Sequence, residues 1–116
     1  MTYPSSETPS GVRLDEYRML AIEQRSASLL ADGRAREAVP DLEWAVRRYP
    51  LREAMSVSLA TARHRSGASV DALRVLRAHE RSLAELGLEP SPALRSLEIE
   101  IVQSANAAVA VRRRTA

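Results

Sequence analysis

Apolar residues recur along this chain at intervals of three and four and nowhere in strict alternation, so the pattern predicts helices and no strands. The first predicted helix runs from about Leu14 to Asp32. It carries Met19, Ile22, Ser26 and Leu29 on one stripe and Leu14, Tyr17 and Ala21 on a neighbouring one. Gly33 stops it, because glycine takes the left-handed conformation of a helix C-cap at no steric cost. The second, about Arg36 to Tyr49, spaces Ala38, Leu42, Ala45 and Tyr49 on one face, flanked by Val39 and Val46. Pro40 has no N–H and fits only a first turn, so this helix is expected to start no earlier than Ala35; Pro50 ends it.

The third predicted helix, about Arg52 to Ser66, turns Met55, Leu59 and Ala62 inward and stops at Gly67. Ser69 is the expected N-cap of the fourth, about Val70 to Leu86. Its inward stripe is Ala72, Leu76, His79, Leu83 and Leu86, and Gly87 stops it. The fifth opens on Ser91-Pro92, a cap followed by proline at the first helical position, and runs through Leu94, Leu97 and Ile101 toward Ala105. From Ala107 to Ala116 there is no polar face, and the segment ends in Arg112–Arg114. Fraying is expected there.

A shift of 34 residues lays Gly33 on Gly67, Ala38 on Ala72, Leu42 on Leu76 and Arg47 on Arg81. Ser26/Ala60, Glu37/Asp71, Val39/Leu73 and Tyr49/Leu83 pair conservatively. That shift is the period of the tetratricopeptide repeat, a helix–turn–helix unit. Glycine falls in the turn, small residues fall where helices cross, and leucine fills the next layer. The pattern predicts an all-α, tetratricopeptide-like solenoid of two repeats, closed by a C-terminal capping helix.

Length and charge then narrow the functions. A chain of 116 residues is one domain, with about 6,300 Å² of surface expected if it folds compactly. All 17 basic residues are arginine, which we read as a coding bias of GC-rich bacteria. Set aside Arg112–Arg114 and the body holds 14 Arg against 15 Asp and Glu, a net charge of −1. Specific nucleic-acid binding is therefore not expected. Zero cysteines exclude disulfides and thiol chemistry. No stretch reads as a signal peptide or a membrane span, so a cytoplasmic protein without membrane association is expected.

Catalytic chemistry finds few candidates. His64 and His79 lie on different helices and form no i, i+4 pair, so neither metal nor cofactor is expected. His79 repeats the place of Ala45 and reads as a core residue, while His64 reads as surface. Asp15-Glu16 and Glu98/Glu100 read as solvated charge patterning. The expected class is a binding module, not an enzyme.

The residues also resemble a known family. Leu86-Gly-Leu-Glu-Pro-Ser-Pro-Ala-Leu-Arg-Ser-Leu-Glu98 resembles the segment that closes the bacterial transcriptional activator domain of actinobacterial SARP-type antibiotic-pathway regulators. Leu14-Asp-Glu-Tyr-Arg resembles its entry helix, and Asp32-Gly-Arg with Glu37-Ala-Val-Pro-Asp-Leu-Glu43 resembles its next stretch, proline included. Tyr49-Pro-Leu-Arg-Glu53, Arg65-Ser-Gly67 and Asp71-Ala-Leu73 follow in the family's order. The resemblance implies a helical activator domain over residues 14–104, between a disordered segment at 1–13 and a basic tail at 105–116. In the family a winged-helix DNA-binding domain normally comes first. The 13 residues before Leu14 are too few for one, so a stand-alone activator-like protein is expected.

That leaves a protein partner, either transcription machinery or a DNA-binding regulator, with a homodimer also open. The competing reading is a tetratricopeptide-like adaptor outside transcription. In such stacks the first helix of each pair lines the concave face. The predicted floor is Glu23, Ala27 and Leu30 beside Val57, Thr61, His64 and Arg65, with Arg65 placed to grip a carboxylate. The alternative contact is Trp44 with Arg48, Trp44 acting either as a wedge between helices or as an exposed anchor.

Overall fold

The computed structural model describes residues 9–115, and within them the chain forms α1 (Pro9–Ala31), α2 (Ala35–Arg48), α3 (Glu53–Arg65), α4 (Ser69–Glu85) and α5 (Pro92–Thr115). No strand occurs among the described residues. The turns after α1, α3 and α4 are built alike. Gly33, Gly67 and Gly87 have φ of 74°, 88° and 72°, the left-handed region that glycine enters freely. One residue later, the amides of Arg34, Ala68 and Leu88 reach back to the carbonyls of Leu29, Arg63 and Leu83 at 2.8, 2.8 and 2.9 Å. This is the Schellman helix ending, and between Gly33 and Gly67 it recurs at the 34-residue interval that the sequence predicts.

Packing follows the same interval. Ala38 and Ala72 are fully buried, as are Leu42 and Leu76 one turn further along. Two clusters make the core. The first joins Met19, Ile22 and Leu29 of α1 to Ala38, Leu42 and Ala45 of α2 and to Met55, Leu59 and Ala62 of α3. The second gathers Ala60, Ala72, Leu76, Leu94 and Ile101 from α3, α4 and α5. Helix α3 therefore has two buried faces, and α1 and α5 flank it.

Stacking draws the molecule out. Its radius of gyration is 17.0 Å, against about 13 Å for a compact domain of this length. The accessible surface is 7964 Å², well above the compact expectation, because α5 projects past the second cluster.

Several boundaries differ from the sequence reading. Helix α1 starts at Pro9, so residues 9–13 of the segment expected to be disordered are helical; residues 1–8 lie outside the described residues. Pro40 is the sixth residue of α2, beyond the first turn, where its missing N–H forfeits one helical hydrogen bond and its ring crowds the carbonyl of Arg36. Ala68, not Ser69, precedes α4, and no side chain caps that helix. Ser69 is instead drawn into a contact with His64 Nδ1 at 2.9 Å. Leu86 leaves the inward stripe and is 57% exposed, since the helix has already ended at Glu85. The segment expected to fray is helical, α5 continuing to Thr115 with its side chains from Asn106 to Arg114 exposed. The cap at Ser91 is as expected, its Oγ accepting the Leu94 amide at 3.2 Å.

Candidate protein-interaction surface

Because helices alternate in direction, α1 and α3 run parallel, and the two predicted rows are joined at Leu30 and Arg65. The row is pinned at both ends. Arg52, at the start of α3, pairs with Glu23 at 3.1 Å. Arg65, at its end, donates to the Leu30 carbonyl at 3.3 Å. Between them Ala27 is exposed, while Leu30 leans on the first core cluster. Val57 and Thr61 are half-buried; Val57 packs toward the second cluster, and the Thr61 hydroxyl donates to the Val57 carbonyl at 2.8 Å. His64 turns away from the row toward Ser69, so it is half-buried and not the surface residue the sequence suggested. Arg65 is the exposed cation left on this face.

Trp44 and Arg48 are committed to α1. The Arg18 guanidinium lies 3.7 Å from the Trp44 ring centroid, a cation–π contact, and the indole packs on the first core cluster. Arg48 pairs with Asp15 at 2.7 Å and lies 5.1 Å from the Tyr49 ring centroid. Burial and the Asp15 charge push the Tyr49 phenol above its ordinary pKa. Trp44 is thus the wedge of the two sequence readings, and Leu14 and Tyr17 lie outside the core, 69% and 62% exposed.

His79 is buried at 3% exposure, as its register predicts. Its Nδ1 meets Ser56 Oγ at 3.1 Å, and its Nε2 faces Glu53 Oε2 at 3.9 Å. Glu53 also receives the hydroxyl and amide of Ser91, so one carboxylate ties α3, α4 and the cap of α5 together. A serine, a histidine and a glutamate in line resemble a hydrolase set; Ser56 is 2% exposed, and with His79 it lines a cavity of about 310 Å³ between α3 and α4. Among the described residues no three metal-ligating side chains gather. No described helix is long and apolar enough to cross a membrane.

One pair escaped the sequence reading. Glu98 is not on a solvated face: it meets Glu80 across the α4–α5 junction. Glu80 is pushed up to about 7 by its hydrogen bond with Glu98, then by burial and by the Glu98 charge. Counted as carboxylates, Glu80 Oε1 and Glu98 Oε2 are both shut off from solvent without a donor. A proton on Glu80 supplies one. Around the pair stand Arg77, Arg81 and Arg95. The signal for a shared face was the i, i+3, i+4, i+7 spacing of Arg77, Glu80, Arg81 and Ala84 on α4.

The helical hairpins, their glycine turns and the Ser91 cap fix what the chain can be compared with. The family model of the bacterial transcriptional activator domain matches residues 4–102. The chain belongs to that family. The regulatory protein AfsR of Streptomyces coelicolor is 39% identical over 94 residues, which is 80% of this chain and 10% of AfsR. The regulatory protein DnrI of Streptomyces peucetius is 33% identical over 79% of this chain and 34% of DnrI. A solved structure of Mycobacterium tuberculosis EmbR in complex with a low-affinity phosphopeptide superposes with a TM-score of 0.73 at 33% identity. It covers 83% of this chain and 26% of that one. The chain therefore spans about a third or less of each of these relatives. The expected all-helical class and the resemblance to SARP-type regulators both hold, and the activator domain is a transcription-regulation family, not a class of enzymes.

Proposed function

We propose that this activator domain works in cytoplasmic transcription through protein contacts and does not itself hold promoter DNA. One observation carries the reading: the similarity to transcriptional regulators runs the length of the helical stack. Charge supports it, because the body outside Arg112–Arg114 carries a net −1. We place the contact on the row of Glu23, Ala27, Leu30, Val57, Thr61 and Arg65, with transcription machinery as the partner. Arg65 favours this face, because its guanidinium is set against a backbone carbonyl, whereas the charge of Arg48 is paired with Asp15 and Trp44 lies against Arg18.

Immobilised full chain, exposed in turn to purified bacterial RNA polymerase holoenzyme and to duplex promoter DNA, separates the possibilities. The polymerase is expected to bind, and Arg65→Glu to weaken it more than Trp44→Ala. DNA retention is expected only through Arg112–Arg114, and to vanish on modest addition of salt. Sequence-specific DNA binding at physiological salt overturns the reading. Loss of polymerase in Trp44→Ala alone moves the contact to α2.

A further inference from the structure

A second surface lies on the far hairpin. Helix α4 and helix α5 part toward the Leu88–Pro90 connection and leave a groove of about 760 Å³, lined by Arg77, Glu80, Arg81 and Ala84 of α4 and by Arg95, Glu98 and Ile99 of α5. Two of its apolar residues are open to solvent, Leu88 at 55% and Ile99 at 57%. Three arginines rim it. Arg77 and Arg81 hold no ion pair or hydrogen bond among the described residues. Arg95 pairs with Glu89 at 3.6 Å, on a side chain that is itself 87% exposed, and its charge, like that of Arg77, also acts on Glu80. The two carboxyl groups at the centre face each other, so they neutralise the rim incompletely. Three guanidinium charges stand over a pair that shares a proton, and the groove attracts anions.

We propose that this groove binds an acidic, amphipathic helical segment of a partner protein, its apolar side chains on Leu88 and Ile99 and its carboxylates on Arg77, Arg81 and Arg95. Charge complementarity selects the occupant. A basic segment meets the rim arginines before it reaches Glu80 and Glu98. A nucleic-acid backbone gains nothing from Leu88 and Ile99. A helix laid between two helix faces can present apolar anchors at one-turn intervals with charges on either side, which matches the lining here. Free arginines can each take a carboxylate in bidentate fashion. The inference rests on the reading that the domain acts by protein contacts, but not on which machinery it serves.

The test uses fluorescence anisotropy with the full chain and three labelled probes: a synthetic amphipathic helix of leucine and glutamate, the same helix with lysine for glutamate, and a DNA duplex. The glutamate probe is expected to bind and the lysine probe to fail. Affinity is expected to fall about tenfold in Arg77→Glu/Arg81→Glu and to drop measurably in Ile99→Ser, with helicity unchanged by circular dichroism. Arg81→Gln, which adds no repulsion, serves should the double variant unfold, and a weaker loss is expected there. Equal binding of both peptides overturns the proposal. So does loss of the glutamate probe in Arg65→Glu but not in the groove variants, or binding of the duplex through the same arginines. A chain that binds polymerase but not the glutamate probe keeps the protein-contact reading and loses the groove. A chain that binds the probe but not polymerase keeps the groove and loses the polymerase.

Discussion

Leucine in place of Ala72 is expected to destabilise the chain by about 1–3 kcal/mol, and leucine in place of Ala38 by a similar amount. Both alanines are fully buried at the same step of the repeat, one turn before Leu42 and Leu76. A β-carbon is what each crossing has room for. Ala72 sits among Ala60, Leu76 and Leu94, so added methylenes have to push α4 from α3 or force side chains off their rotamers. Ala38 stands in the same relation to the first cluster. The control is Ala54→Leu, an exposed position on α3, expected to change stability by no more than about 0.5 kcal/mol. Urea unfolding followed by circular dichroism measures all three. Similar small effects at all three sites contradict the repeat register.

The second large effect is on pH dependence. Glu80 is held at about 7 in the folded chain, against an ordinary value of 4.5. Between those values the folded form binds more protons than the unfolded, so stability falls as pH rises through the window and levels off above it. Glu80→Gln keeps an amide donor toward Glu98 and removes the charge. It is expected to abolish this part of the slope and to gain on the order of 1–3 kcal/mol over the native chain at pH 8. Both histidines remain in the variant, so the difference between the two curves isolates the Glu80–Glu98 pair. Parallel curves for the two proteins from pH 4.5 to 8 contradict a shared proton at the α4–α5 junction.

Much of the scaffold is legible in the chain because it obeys one interval. Gly33 and Gly67, Ala38 and Ala72, and Leu42 and Leu76 each answer to a local steric demand that repeats with the hairpin. Ser91-Pro92 is legible for a similar reason, since a cap and a proline act within a single turn. Features set by how helices rotate against one another are not. Periodicity finds both stripes of α1 but cannot say that Leu14 and Tyr17 lack a neighbour to cover them. Ser69 reads as a cap until His64 of the preceding helix claims its hydroxyl. Glu80 and Glu98 sit 18 positions apart, each with an unremarkable pattern around it, and only the packing of α5 on α4 turns them toward each other. Of the predicted contact residues, the α1 and α3 rows are joined at Leu30 and Arg65, yet His64 faces another way and Trp44 is covered by Arg18.

The account turns on whether this helical stack raises transcription by touching protein. Fusion of the full chain to an unrelated DNA-binding domain, placed upstream of a reporter promoter bearing that domain's site, measures this directly. The account predicts reporter output above that of the DNA-binding domain alone, lowered by Arg65→Glu and by Arg77→Glu/Arg81→Glu without loss of fold. A folded fusion that occupies its site and leaves transcription at the level of the bare DNA-binding domain contradicts it.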